Sequence, residues 1–331
     1  MSIKSDILSI LEQHRTEPIS GENIANQLNI SRAYVWKMIK KLKEEGYQIE
    51  ATPNLGYILA QGSDVISKEG ILPHLSKRYQ ENPIFVYKSI DSTNTEAKKM
   101  AVDGAVHGTV LIAEEQTAGR GRRGRSFYST NGLGIYISFV LKPDLTLQDS
   151  VLITTAASVA VSRAIEKVTG LQTQIKWVND LFYQKQKVCG ILTEAVTDCD
   201  TGCIDSLILG IGINFCLNQD SIPDELKAIV GSLYQTQPEA VTRNQLCGAL
   251  INEVLDLCDH LAEREFFQEY KEKSLVLGNR ILVIGKDDPI PAMAIDIDAT
   301  GGLIVQYDSG EIVTLNSGEI TIRTLPAAPS I

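Results

Sequence analysis

Gly119-Arg120-Gly121-Arg122-Arg123-Gly124-Arg125 decides how the middle of this chain is to be read. Formally these residues contain G-x-G-x-x-G, the glycine spacing that opens a dinucleotide-binding unit. That fingerprint needs a helix directly after the glycines, so that the helix N-terminus can hold a pyrophosphate. Here Phe127 to Asn131 has loop composition, and Leu133 to Leu141 alternates as a strand. A doubly wound dinucleotide fold is therefore excluded, and no G-x-x-x-x-G-K-[ST] stretch exists for a Walker-type ATPase. Four guanidinium groups are also more than a backbone cradle needs. They suit a glycine-hinged loop that closes on several anionic groups of one small ligand. A solvated basic loop and an RNA-binding Arg-Gly segment are the competing readings, and a single copy between two strands argues against the second.

Outward from this loop the chain reads as a mixed α/β core. Ile84–Tyr87 is a strand, and Asp91-Ser92-Thr93-Asn94 opens a helix beginning near Thr95. Those polar side chains either cap the helix or hydrogen-bond an uncharged polar ligand group, and Gln116 has the same capacity. Lys176-Trp177-Val178-Asn179-Asp180 closes one strand (Thr173–Trp177) and opens another. Lys187-Val-Cys-Gly-Ile-Leu-Thr-Glu194 puts a lysine at the mouth of a buried strand. Gly210-Ile-Gly-Ile-Asn214 places glycines in a further strand, at a cost in stability unless something needs close approach. Arg243 to Phe267 reads as one or two acidic amphipathic helices. From Arg280 five short strands (Ile281–Ile284, Ala292–Ile297, Gly302–Tyr307, Ile312–Leu315, Glu319–Ile322) suggest a small SH3-like barrel without chemistry of its own.

The N-terminal residues have a different rhythm. Residues 2–15 carry apolar groups at helical spacing, and Ser20 starts a short helix through Ile24, Ala25 and Leu28. Asn29 stands where a tight turn needs a left-handed residue, and Ser31 is a natural N-cap. The next helix would face inward with Val35, Ile39 and Leu42, and outward with Arg32, Tyr34, Trp36, Lys37 and Lys40. Tyr47–Ala51 and Gly56–Leu59 then alternate like a hairpin. This is a winged helix-turn-helix, with the second helix of the motif placed for the major groove. A small protein-interaction domain with a solvated basic face is the alternative. Ser31, Arg32, Tyr34, Trp36 and Lys37 are candidates for DNA contact, and the sequence does not sort base from phosphate. Ala60 to Ser67 reads as a polar linker.

Charge agrees with that division. The 331 residues carry a net charge of −10, which taken whole argues against a nucleic-acid binder. Residues 1–62, however, hold seven basic and seven acidic groups, so the deficit lies entirely beyond them. Ser31 to Lys43 contains five basic residues and no acid. The apolar run Val151–Val161 is interrupted by Thr154, Thr155 and Ser158 and is short of the roughly 18 residues of a spanning helix. The charged first fifteen residues are unlike a secretory signal. The six cysteines are read as reduced cytosolic thiols, since the Cys199/Cys203 spacing lacks the partners of a zinc set.

In this order, GRGRRGR, DSTN, KW-x-ND, K-x-x-GIL-x-E and GIGIN make a specific combination. The chain resembles the bifunctional biotin–protein ligase and biotin operon repressor family over essentially its whole length. The resemblance implies an α+β protein with three parts: a winged helix-turn-helix (1–62), a class II synthetase-like ligase core (68–275) and an SH3-like β-domain (277–331). It implies activation of biotin by ATP to biotinyl-5′-AMP, with Mg²⁺ accompanying the nucleotide. The biotinyl group then passes to a lysine of a biotin carboxyl carrier protein, such as the acetyl-CoA carboxylase subunit. It further implies cytoplasmic location, homodimerisation of the adenylate-bound form, and repression at operator DNA of biotin genes.

Carried onto this sequence, the resemblance gives Ser92, Thr93, Asn94, Gln116, Arg120, Gly121, Arg122 and Lys187 to biotin. Arg122, Arg125, Phe127, Lys176, Asn179, Asp180 and Asn214 go to the nucleotide, with Lys187 and Arg122 as the catalytic pair. Asp180 either orients a lysine or helps hold Mg²⁺. No resident metal site is expected. Arg323 is a further candidate for the nucleotide or the acceptor. Val178 stands where many relatives have proline, which loosens that turn. Phe127 replaces a tryptophan that often stacks on adenine, which predicts weaker nucleotide stacking. Two alternatives remain at this level, a lipoate-type acyl-adenylate ligase and a ligand-sensing repressor without ligase activity. The arginine loop and the attached helix-turn-helix count against the first, and intact Lys187, Arg120 and Arg122 against the second.

Overall fold

Local signals build the N-terminal unit. In the computed structural model, which describes residues 2–132, 134–142, 150–197, 204–217, 222–284, 288–316 and 319–322, the chain begins with three helices. They are α1 (Ile3–Gln13), α2 (Gly21–Leu28) and α3 (Arg32–Glu44). Ser20 and Ser31 cap α2 and α3 by accepting from Asn23 N and Tyr34 N. Asn29 takes the left-handed turn between them at φ 52°. Val35, Met38, Ile39 and Leu42 turn one face of α3 into a core shared with Ile7, Leu11 and Ile24. The hairpin β1 (Ile49–Thr52) and β2 (Gly56–Leu59) follows, pairing Ile49 with Leu59.

The linker is not loose. Arg15 at the end of α1 donates to the carbonyls of Ala60, Gln61 and Ser63, and pairs with the buried Glu12. Beyond it Asp64 accepts from Arg243 N at 2.6 Å and Arg243 Nε at 2.7 Å, with both side chains almost sealed from solvent. Glu114 accepts from Ile66 N, and Asn244 brackets the segment through Val65 O and Ser67 N. The polar composition of Ala60–Ser67 thus serves a clamp whose partners lie far along the chain.

After α4 (Lys68–Ile71) come β3 (Ile84–Tyr87), α5 (Thr93–Val102), β4 (Thr109–Ala113), β5 (Gly134–Leu141) and α6 (Ser150–Thr169). Strands β6 (Gln174–Lys176), β7 (Asp180–Tyr183), β8 (Gln186–Thr197) and β9 (Ile204–Asn214) complete one sheet. Its order is β3-β4-β5-β9-β8-β7-β6, parallel at β3/β4 and antiparallel elsewhere. Every residue of β4 and β5 is buried, because helices cover both faces. Ala97 and Ala101 of α5 pack against Leu111, Val140 and Ile208 on one face. On the other face α6 lies with α8 (Arg243–Asp259), which follows the short α7 (Asp224–Lys227). The stretch from Arg243 is two helices, with a short 3-10 turn at Leu261–Glu263 separating α8 from α9 (Phe266–Glu272).

Strands β10 (Arg280–Ile284), β11 (Ile290–Ile297), β12 (Leu303–Tyr307), β13 (Ile312–Leu315) and β14 (Glu319–Ile322) form a small antiparallel sheet ordered β13-β12-β11-β10-β14. Ile281, Ala294, Leu303 and Val305 join the same apolar core as α6 and α8. Trp177 Nε1 donates to Gly301 O at 2.9 Å across this junction. Among the described residues no helix is long and apolar enough to cross a membrane. Cys189, Cys216, Cys247 and Cys258 carry free thiols. Burial pushes the Cys189 and Cys247 thiols up, away from the thiolate form. Cys199, Cys203 and Arg323 lie outside the described residues.

Candidate active site

The glycines of β8 and β9 make the floor of a cavity. Gly190 pairs with Gly212 across the two strands. A Cβ at Gly210 would overlap the side chain of Asn94, and one at Gly212 would overlap the ring of Phe127. The glycines do not interrupt β9; they admit two side chains to its surface, which is the close approach their cost requires.

One wall is the start of α5. The helix begins at Thr93, two residues earlier than the composition predicts, because Ser92 is its N-cap and accepts from Thr95 N. Thr93 N donates to Gln116 Oε1 at 2.9 Å, and Gln116 Nε2 donates to Ser129 Oγ at 3.0 Å. Ser138, fully buried on β5, lies 2.8 Å from Thr93 Oγ1 and 2.7 Å from Asn94 Oδ1. Donors and acceptors of neutral groups cluster here, as an uncharged polar ligand group would require.

The opposite side is cationic. The arginine loop folds on itself, with Gly121 N donating to Arg125 O at 2.7 Å and Phe127 N to Gly119 O at 2.9 Å. Arg123 and Gly124 sit at φ 56° and 73°, a reversal for which the following glycine is suited. Arg122 Nη1 donates to Asn179 Oδ1 at 3.1 Å, while Asn179 Nδ2 donates to Ile191 O at 2.8 Å. Asn179 therefore ties the loop to the sheet. Phe127 meets Tyr136 edge-on with centroids 6.4 Å apart and lies over the glycine floor.

Between the walls stands Lys187, whose Nζ lies 2.7 Å from Asp180 Oδ1, both side chains about three-quarters buried. Asp180 Oδ1 is shut off from solvent and takes no well-aligned hydrogen bond among the described residues, so this contact is chiefly charge on charge. Asn214 acts behind the lysine: its Nδ2 donates to Gly231 O at 2.9 Å, and Gly231 N donates to Lys187 O.

The structure thus gathers Ser92, Thr93, Asn94 and Gln116 with Arg120 to Arg123, Arg125 and Phe127, and with Asn179, Asp180 and Lys187, around one cavity. Two candidates stand apart from its lining. Asn214 is buried behind Lys187, and Lys176 on β6 holds its Nζ 5.7 Å from the Phe182 ring centroid. Sequence reasoning assigned no role to Ser126, nor to Glu194, whose carboxylate pairs with Lys98 and Asn94. A glutamate in the partly buried second half of β8 was the available signal for the latter. Among the described residues no group of three potential metal ligands occurs.

In the N-terminal unit Arg32, Tyr34, Trp36 and Lys37 are all exposed on α3, with Trp36 60% exposed. Ser31 is also exposed while capping that helix.

Comparison with known proteins places both ends. The family model of the HTH domain matches residues 4–58, that of the biotin/lipoate A/B protein ligase family residues 86–214, and that of the biotin protein ligase C terminal domain residues 276–323. The bifunctional ligase/repressor BirA of Bacillus spizizenii is 34% identical over 317 residues, covering 93% of this chain and 95% of the relative. That of Escherichia coli is 29% identical, covering 92% and 93%. The solved biotin protein ligase from Aquifex aeolicus in complex with biotin and ATP superposes with a TM-score of 0.62 at 30% identity, covering 73% of this chain and 98% of that one. The chain belongs to the biotin protein ligase family, in its bifunctional ligase/repressor form.

Proposed function

We propose that this protein activates biotin with ATP to biotinyl-5′-AMP and pyrophosphate, then passes the biotinyl group to one lysine of a biotin carboxyl carrier protein. It also represses biotin genes, with the adenylate as corepressor. The observation that carries this reading is the single cavity with two chemistries: a neutral hydrogen-bonding wall at Thr93 and Gln116, and a cationic wall facing Lys187. The first suits the ureido ring of biotin and the second its carboxylate and the phosphates of ATP.

Adenylation brings a carboxylate against an α-phosphate. At about 4 Å and an effective dielectric near 20, two unit charges repel by about 4 kcal/mol. Left alone that is roughly three orders of magnitude in rate. Lys187 and Arg122 offset it from fixed positions, Lys187 held by Asp180 and Arg122 by Asn179. Arg120 and Gly121 would border the biotin carboxylate, and Arg125 the phosphates. Phe127, over the glycine floor, gives adenine a π-face. Asn214 and Lys176 would act from outside the lining, Asn214 by setting the Lys187 backbone. Mg²⁺ arriving with ATP would neutralise phosphate charge. Asp180 is the carboxylate in the lining, and one carboxylate with substrate phosphates is an ordinary Mg²⁺ donor set. The loop, closed over the adenylate, would keep water from the mixed anhydride.

Three parts follow from this reading: residues 1–62 for DNA, 68–275 for catalysis on a class II synthetase-like sheet, and 277–331 as an SH3-like barrel that completes the site. The protein would work in the cytoplasm. The body carries the whole charge of −10 while residues 1–62 are neutral, so one α3 face binds weakly. Dimerisation of the adenylate-bound form would double the phosphate contacts.

The deciding experiment is biotin-dependent ATP–pyrophosphate exchange in Mg-ATP, with mass-spectrometric detection of a biotinylated carrier fragment. Lys187→Ala and Arg122→Ala should each lower the exchange kcat by about 10²–10³. No exchange by the wild-type protein would overturn the ligase reading, and exchange with lipoate alone would assign a lipoate-type ligase. DNA from the promoter region of biotin genes should bind more tightly when biotin and ATP are both present. Equal binding without them would remove the corepressor role and leave the enzyme.

A further inference from the structure

Glu194 on β8 takes no part in the chemistry above, yet it holds two residues of the cavity wall. Its Oε2 accepts from Asn94 Nδ2 at 2.9 Å. Its Oε1 lies 2.6 Å from Lys98 Nζ and 3.4 Å from Arg120 Nη2. Burial pushes the Glu194 carboxyl up, but the hydrogen bonds from Lys98 and Asn94 outweigh it and keep the group below its usual range, hence ionised at neutral pH.

Two consequences follow from these distances. Asn94 Nδ2 faces only acceptors, Glu194 and Leu192 O at 3.4 Å, which turns Oδ1 toward Ser138. A serine hydroxyl has one proton. Once Ser138 spends it on Asn94, the Thr93 hydroxyl, 2.8 Å from Ser138 Oγ and 3.1 Å from Gln116 Oε1, has one proton for the two, and Gln116 Oε1 keeps Thr93 N–H at 2.9 Å. The carboxylate therefore sets donor and acceptor order along the wall where the ureido ring would lie. Through Arg120 the same carboxylate anchors the first arginine of the loop, which is otherwise half exposed.

We propose that Glu194 is a positioning residue for biotin recognition, polarising the Asn94–Ser138–Thr93–Gln116 wall and pinning the Arg120 end of the loop over the cavity. This rests on the biotin reading of the site, so the test has one arm that needs no activity.

The full-length protein is compared with Glu194→Gln and Glu194→Ala. Glutamine keeps an oxygen for Asn94 but no charge for Arg120 and Lys98; alanine removes both. In ligand-free protein, tryptic cleavage after Arg120, Arg122, Arg123 or Arg125, followed by mass spectrometry, should quicken about tenfold in both variants, the scale of one charge-assisted contact. In the exchange assay the biotin KM should rise about tenfold in Glu194→Gln and about a hundredfold in Glu194→Ala. In both variants kcat should stay within about threefold, the signature of lost ground-state positioning. Unchanged cleavage in Glu194→Gln, which is nearly isosteric and keeps the fold, overturns the loop clamp. An unchanged biotin KM in Glu194→Ala overturns the wall. A wild-type protein without exchange counts against the biotin reading, and the cleavage arm still decides the clamp.

Discussion

The N-terminal and C-terminal regions are both small additions to one seven-stranded sheet, yet they are joined to it by opposite kinds of contact. The helices and hairpin of residues 3–59 close a core of their own around Ile7, Leu11, Ile24, Val35, Leu42 and Leu59. Val65 still packs against that core, whereas Ile66 already belongs to the next one. Much of what crosses the junction is polar: Arg15 on the linker carbonyls, Asp64 with Arg243, and Asn244 on either side. The C-terminal strands instead share the main core with α6 and α8, and the Trp177–Gly301 hydrogen bond is buried within it. A polar joint between separate cores can be reset without disturbing either core, while a shared apolar core cannot. The reading head is thus attached in a manner suited to regulation, and the C-terminal sheet in a manner suited to holding the catalytic body.

The largest expected effects test that contrast directly. Leu303→Ala on β12 and Ile24→Ala on α2 each empty a fully buried site, at a cost of about 2–5 kcal/mol. The Leu303 variant should lower the calorimetric transition of the ligase body and take adenylation with it on warming. The Ile24 variant should lower only the transition of the N-terminal unit, losing DNA binding while exchange activity at 25 °C is unchanged. Equal loss of exchange from both variants would break the contrast.

A medium effect is expected at the joint. Arg243 and Asp64 are almost completely buried, and the next carboxylate, Glu114, is 3.7 Å from the guanidinium. Asp64→Asn removes the charge and leaves Arg243 poorly satisfied, costing roughly 1–3 kcal/mol. Both cores keep their packing in this variant, so calorimetry should show two transitions drawing apart rather than one moving down. Catalysis should persist, and the gain in DNA binding on adding biotin and ATP should shrink.

Much of this architecture was legible in the sequence because its signals are local. Asn29 at the left-handed turn, Ser31 as a cap and the alternation of the last five strands each depend on neighbours within a few residues. The cavity was legible for a different reason: its residues sit in compact motifs, and the motifs meet at one end of the sheet. What escaped depends on distant partners. Nothing near Glu194 tells that Asn94, a hundred residues away, will lie against it. The linker's polarity gives no hint that Arg243, 179 residues on, will clamp it. The glycines of β9 marked a close approach without naming Asn94 and Phe127 as what approaches.

The smallest expected effect concerns acid. Asp298 stands at the turn that carries Gly301 onto Trp177. Burial raises its carboxyl, but hydrogen bonds from Thr300, Gly301 and Gly302 outweigh this and leave it below its ordinary value. A carboxylate depressed in the folded state contributes stability above its unfolded pKa of about 4 and loses it as pH falls through the lower, folded value. Because Asp298 is only partly buried, the contribution should stay below about 1 kcal/mol. Asp298→Asn should therefore flatten the fall in melting temperature of the ligase body below pH 4, and leave the transition of the N-terminal unit where it was. The same acid slope in variant and wild type would mean that the Asp298 carboxylate does not help hold the C-terminal sheet to the shared core, leaving that to the Trp177–Gly301 hydrogen bond and the apolar contacts.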